Sequence, residues 1–312
     1  MSRKLIRESV AVAGLAAVAL AGAMGIAGAA THSDAGSVLS AAGDGRAPRA
    51  AAHAPFATRA ESRRLARRLL AKVVMPPGTR RFRGRRVPAA LRWPADEPSS
   101  DHLVDVHRIF AERRSMRRTM AFLNHHHPAG WSSQGTGESY IIKNGKKIIT
   151  EEDITYTPRH LRPAFNEIQM LVEVVPGHHG HALARVDVQV IWYPRRSAAE
   201  YLVARHFRAV RIDEWIYGSH VRHVRRTFRQ RAIIDKLTRV LNHLPASPGG
   251  VWSCPIVIRT YRLTFKPVKG YRDAIVDADG CPPEYGISIA GHAQPALYAN
   301  GKIERIARRL LR

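Results

Sequence analysis

Polar and apolar positions divide the chain into three stretches. From Val10 to Ala30 no charged residue occurs, and Leu15, Val18, Leu20, Met24 and Ile26 carry most of the hydrophobicity. Residues 30–57 are rich in Ala, Gly and Ser with little apolar bulk, and read as a flexible linker. From Thr58 onward the pattern takes on helix and strand periods, as a folded region should.

Thr58 opens a capping box with Glu61. Leu65, Leu69, Leu70 and Val73 then line one helix face, Arg63, Arg64, Arg67 and Arg68 cover the rest, and Pro76-Pro77-Gly78 ends the helix. His102 to Phe110 alternates as a strand. Ser115 starts a short helix with Met116, Met120 and Leu123 inward, stopped at Pro128. Tyr140–Lys143 and Lys146–Ile149 flank Asn144-Gly145, the pair suited to a type I′ hairpin turn. Ile168–Val175 and Leu183–Tyr193 form a second antiparallel pair, turned at Pro176-Gly177, and Phe207–Tyr217 adds a strand.

Val221 to Leu244 reads as a helix with Phe228, Ile233, Ile234, Leu237, Val240, Leu241 and Leu244 on its apolar face. Tyr261, Leu263 and Phe265 alternate on one strand, with Ala274, Val276 and Ala278 on its partner. Ile303, Ile306 and Leu310 face inward on a last helix, Lys302 to Leu311. The pattern predicts an α+β fold of mostly antiparallel sheets with amphipathic helices packed on them. It divides near residue 219 into an α+β domain with hairpins, 58–218, and a helix–strand–strand–helix unit, 219–312. Leu69–Gly78 and Leu241–Gly250 share a helix-end, proline, glycine order, a weak echo that two proline-terminated helices also produce by chance.

The N-terminus adds a destination. Arg3, Lys4 and Arg7 precede the apolar run, and Ala27-Gly28-Ala29 closes it with the small-x-small pattern of a signal-peptidase site. Residues 1–29 therefore read as a secretory signal peptide. The competing reading is a retained membrane anchor, and no Cys follows the run to carry a lipid. The chain has two cysteines, Cys254 and Cys281, an even number that suits a disulfide in an exported protein. One cysteine precedes and the other follows the expected 261–278 strand pair, so antiparallel pairing brings them together and clips the C-terminal unit. Such a bridge is worth about 3–4 kcal/mol in the chain-entropy model.

Charge changes the picture most. The chain carries 50 Lys+Arg against 25 Asp+Glu, a net +25. A field of that sign attracts polyanions, and outside the membrane these are anionic envelope polymers and lipid head groups. Arg80, Arg81, Arg83, Arg85 and Arg86 make one basic loop that suits such a ligand. An Arg-rich, Ala-rich composition also follows from a GC-rich genome without any ligand. No helix-turn-helix, RNP or zinc-finger pattern accompanies the charge, so specific nucleic-acid recognition is not expected.

Candidate chemistry is sparse. His178, His179 and His181 share a hairpin turn and are the candidate metal ligands, although consecutive turn side chains point apart and zinc needs convergent donors. His125-His126-His127 sits at a helix end, and His220 and His223 are spaced for one helix face. No G-x-S-x-G, H-E-x-x-H or S-x-x-K motif is present, and no cofactor motif. Gly135-x-Gly137 lacks the Lys of a phosphate loop and reads as a connection. Asp277-x-Asp279-Gly280 lacks the closing ligands of a calcium loop. Asp105 and His107 share a strand face, half of an acid–base pair or a plain surface pair. Asp187 interrupts an apolar strand and, if buried, needs a paired base or backbone donors.

The segments Met170–Pro176 and Ala184–Pro194, Trp252-Ser253-Cys254-Pro255, the Tyr-x-Leu-x-Phe strand at Tyr261, Gly280-Cys281 and Pro295-Ala296-Leu297 before a basic helix recur together. In order and spacing they resemble a family of uncharacterised exported proteins of high-GC Gram-positive bacteria, over roughly residues 60–312. The resemblance implies export and a disulfide, and carries no catalytic residue.

The sequence thus predicts an exported, non-enzymatic envelope or extracellular protein that binds anionic polymers or a protein partner. The alternatives are an exported hydrolase with a non-obvious site and a membrane-tethered ectodomain with an inhibitory or signalling role.

Overall fold

Twelve strands form two six-stranded antiparallel sheets, each backed by two helices, in the computed structural model, which describes residues 55–84, 87–250, 259–278 and 284–312. The expected signal segment, most of the expected linker, Arg85, Arg86, Cys254 and Cys281 lie outside the described residues, and with them the expected disulfide.

The first sheet uses β1 (Arg80–Arg81), β2 (Leu103–Glu112), β3 (Trp131–Lys143), β4 (Lys146–Pro158), β5 (Phe165–Pro176) and β6 (Ala182–Trp192), in the order β1-β2-β6-β5-β4-β3. Helices α1 (Arg59–Leu70) and α2 (Met116–His125) cover one face. The capping box of α1 forms: Thr58 N donates to Glu61 Oε2 at 2.8 Å, and Glu61 N donates to Thr58 Oγ1 at 3.2 Å. Ser62, Leu65, Ala66 and Leu70 bury its inner face. Opposite them, alternate residues of β5 and β6 (Met170, Val172, Val174, Ala184, Val186, Val188 and Val190) are fully buried. The Tyr156 hydroxyl donates to Leu123 O at 2.9 Å, satisfying a carbonyl in the last turn of α2.

The β3–β4 hairpin has the expected turn. Asn144 (φ 52°) and Gly145 (φ 72°) both take the positive φ that a type I′ turn requires. Its arms are 13 residues each, far longer than the flanking apolar runs suggested. β5 pairs with only Glu152–Tyr156 of β4, so the distal ribbon projects past the sheet.

The second sheet uses β7 (Phe207–Ile216), β8 (Arg222–Phe228), β9 (Arg259–Pro267), β10 (Ala274–Ala278), β11 (Glu284–Ile289) and β12 (His292–Tyr298), in the order β12-β11-β10-β9-β7-β8. Helices α3 (Arg231–Asn242) and α4 (Lys302–Leu311) supply Ile234, Leu237, Leu241, Ile303 and Ala307 to its core. The expected pair is present in register: Phe265 opposes Ala274, Leu263 opposes Val276 and Tyr261 opposes Ala278.

Three expectations are corrected here. The Val221–Leu244 helix is instead β8 followed by the shorter α3. Val224 and Phe228 fit period 2 as well as 3.6, and pairing along the edge of β7 decides between them. The C-terminal region has two further strands, β11 and β12, turned at Ala290 (φ 54°) and Gly291 (φ 77°). Alanine at a positive-φ position leaves no turn signature in sequence. The boundary between sheets falls earlier than residue 219, because β7 pairs with β8 and β9, and the described residues all belong to one compact unit.

The link between the sheets is anchored by a buried arginine. Arg196 is 4% exposed; its Nη1 donates to Leu241 O and Leu244 O at 2.9 and 3.0 Å, and its Nη2 to Glu200 O at 2.5 Å. The carbonyls of Leu241 and Leu244 lie at and just past the C-terminal end of α3, where a cation is favoured by the helix dipole.

Candidate functional site

The face of the first sheet turned away from α1 and α2 is lined with buried charge. Period 2 puts Gln169 and Glu173 of β5, Arg185, Asp187 and Gln189 of β6, and Asp105 and His107 of β2 on that face together. The register sets His107 opposite Asp187, Asp105 opposite Gln189, and Glu173 opposite Arg185. The stretch before β2 lies across this face. Arg185 Nη1 donates to Leu91 O at 3.0 Å, Gln189 Nε2 donates to Asp96 O at 2.8 Å, and Leu91 is fully buried.

Among the carboxylates, Arg185 is hydrogen-bonded to Asp187. Its Nε donates to Asp187 Oδ1 and Oδ2 at 3.0 and 2.8 Å, and its Nη2 to Oδ1 at 2.7 Å. The paired base expected for a buried Asp187 is therefore Arg185, two residues away on the same strand. Asp105 Oδ2 lies 3.9 Å from Arg185 Nη2, while its Oδ1 has no partner. Glu173 is 1% exposed, and its Oε2 has none either. Three carboxylates thus share one guanidinium. Burial first, then the charge of Asp187, pushes the Asp105 carboxyl up to about 7. Burial first, then the charge of Glu151, pushes Glu173 up to about 8.

The acidic face continues onto β4 and β3. Burial raises Asp153 and Glu151 above the usual carboxylate range. Gly137 lies opposite Asp153, and a Cβ there would come within 2.3 Å of Asp153 Oδ1. The Gly135-x-Gly137 element is therefore part of β3, not a connection, and its second glycine makes room for a carboxylate.

Asp105, His107 and Asp187 each offer a ligand atom, and these atoms lie within 4.8 Å of one another. His178, His179 and His181 form no such group. All three are exposed, the rings of His178 and His179 are 6.4 Å apart, and His181 Nδ1 contacts Arg113 O at 2.7 Å. His125, His126 and His127 are exposed too, and His126 stacks on Phe122. His223 lies on β8 rather than on a helix, stacked on Trp215 with its Nε2 3.1 Å from Asp213 Oδ1.

A second constellation runs along α1. Arg64, Arg68 and Arg162 frame a cleft of about 500 Å³ with Ala57, Leu65, Pro163, Ala164 and Phe165 along its walls. Its one carboxylate, Glu61, is occupied in the capping box. None of the three arginines forms a salt bridge among the described residues. Arg195 adds a fourth guanidinium 5.3 Å from the ring of Phe56 at the cleft edge. Of the basic loop, Arg80 and Arg81 form β1 at the sheet edge and Arg83 is exposed. Asp277 of the calcium-like echo is paired with Arg262, with 2.5 Å between Nε and Oδ1.

In the sequence Asp105 and His107 read as a pair and Asp187 apart from them, while Glu173 and the cleft carried no reading. The signal for Glu173 was present, because it interrupts Val172 and Val174 on β5 as Asp187 interrupts Val186 and Val188 on β6.

Fold and sites together define a basic α+β protein of two helix-backed antiparallel sheets with one buried acidic face. No family model matches the chain, and no curated protein or solved structure is detectably similar to it. Among the described residues, no helix is long and apolar enough to cross a membrane.

Proposed function

We propose that this is an exported binding protein for anionic polymers of the cell envelope, and that the α1 cleft is where it grips them. The observation that carries the reading is the cleft itself. Three arginines without salt-bridge partners among the described residues surround apolar walls in a volume that suits several units of a phosphate- or carboxylate-bearing chain. Guanidinium groups bind such anions through paired N–H donors. Arg59, Arg63 and Arg67 extend the positive surface along the exposed side of α1. The N-terminal signal pattern supports delivery outside the cytoplasm, and the net charge of +25 supports capture by long-range attraction.

Anisotropy of a labelled linear polyphosphate measures the binding over a range of salt. Combined Arg64→Glu, Arg68→Glu and Arg162→Glu weakens it at least tenfold at moderate salt and flattens the salt dependence. Arg309→Glu with Arg312→Glu, on α4, changes it less than threefold. Equal losses from both sets would mean that net charge alone binds the polymer and the cleft has no special part.

A further inference from the structure

The buried acidic face and the cleft are separate features, and the first calls for a ligand of opposite sign. We infer that Asp105, His107 and Asp187 form a divalent metal site of the two-carboxylate, one-imidazole type, suited to Zn²⁺.

Four observations carry this. The three ligand atoms converge within 4.8 Å. Ligands about 2.1 Å from a tetrahedral centre stand about 3.4 Å apart, so binding an ion draws the three groups together by at most about 1.4 Å, and His107, exposed to solvent, is free to adjust. The site is also short of positive charge. Asp105, Asp187 and Glu173 face the single cation Arg185, a deficit of two charges that one divalent ion balances.

The third observation is independent of the ligand cluster. Glu173 is 1% exposed and stands opposite Arg185 on the same face, yet its Oε2 has no partner among the described residues. A buried carboxylate oxygen without a donor is costly and needs a nearby proton or cation. Fourth, the neighbours suit a ligand set already held in place. Arg185 grips both oxygens of Asp187 and is itself tied to Leu91 O, which fixes that carboxylate, while Oδ2, accepting one hydrogen bond against two at Oδ1, keeps a free lone pair.

The donor set selects the ion. One imidazole nitrogen with two carboxylates suits Zn²⁺ better than Ca²⁺, which takes six to eight oxygens. With three protein ligands and His107 open to solvent, a fourth position is left for water.

The test is calorimetric titration of the full chain with Zn²⁺ after dialysis against EDTA. One saturable site per chain is expected, weakened at least tenfold by Asp105→Asn and by His107→Ala. His107 is exposed, so its replacement leaves the fold intact, and circular dichroism checks this. Combined His178→Ala, His179→Ala and His181→Ala leaves the site unchanged. No saturable event, an event that survives both site substitutions, or an event lost only in the hairpin-turn variant overturns the proposal. Tighter binding of Ca²⁺ than of Zn²⁺ does so as well.

Discussion

The faces of the two sheets turned away from their helices carry ionic clusters of opposite balance. On the first sheet, Asp105, Asp187 and Glu173 share Arg185. On the second, Asp213 is 1% exposed and receives Arg225 Nε at 2.6 Å, Arg211 Nε at 2.8 Å and His223 Nε2 at 3.1 Å. Burial pushes Asp213 up, but the hydrogen bond from Arg225 and the charge of Arg211 outweigh it, and its carboxyl is held below the ordinary value. The same residue type is thus driven in opposite directions within one basic chain. Net charge does not decide this. The number of cations within reach does, together with how far each is removed from water.

The comparison is broken most severely at Arg185. Arg185→Ala leaves Asp187 buried without its base, with an expected loss of about 3–5 kcal/mol in urea unfolding. Replacing the corresponding base on the other sheet, which is more than half exposed, costs far less.

Next in size is the response to pH. Asp105 and Glu173 have folded-state values near 7 and 8, well above those of an unfolded chain. The folded state therefore binds more protons, and stability falls as pH rises from about 4 to about 8. Asp213 acts in the opposite sense: its contribution is present above the unfolded carboxylate value and is lost as pH falls through its lowered folded value. The unfolding free energy from urea titrations between pH 4 and 9 in EDTA should decline with rising pH by an amount on the order of a few kcal/mol. Glu173→Gln should flatten that decline, and Asp213→Asn should leave it unchanged.

A smaller effect tests whether the acidic face is packed to shape. Gly137→Ala places a Cβ 2.3 Å from Asp153 Oδ1 and must displace it. A loss of about 1–3 kcal/mol in thermal or urea unfolding is expected. The smallest change is Arg225→Ala on the second sheet. Its side chain is 57% exposed and Arg211 remains on Asp213, so about 0.2–1 kcal/mol is expected.

Much of the framework was legible from local pattern. The Thr58–Glu61 capping box, the Asn144-Gly145 turn and the matched alternation of Tyr261–Phe265 with Ala274–Ala278 all appear as read. Each is a short-range signal that belongs to one element or to two neighbours. The misreadings share a cause. Residues 221–228 carry Phe228 at a spacing that fits helix and strand alike, and a long-range partner, β7, settled the choice. The β11–β12 turn uses Ala290 where Asn or Gly would have announced it.

The candidate metal site was half legible. Asp105 and His107 share a strand face two residues apart, and Asp187 stands out among valines, so each was visible alone. Their meeting was not, because it depends on β2 lying beside β6 in one particular register. The α1 cleft was hidden for the same reason: Arg64 and Arg162 are far apart in sequence and meet only when the approach to β5 packs beside α1.

By itself the sequence determined the capped first helix, the hairpin turn, the α+β class, the excess of positive charge and the two-residue alternation that gives most strands a polar and an apolar side. The tertiary structure alone decided which polar sides face each other. It set Glu173 opposite Arg185 and His107 opposite Asp187, and closed the stretch around Leu91 over them. The physical reason is that alternation specifies a face but not a neighbour. Register comes from pairing between distant strands, and a slip of one residue would have turned every one of these charges into the apolar core.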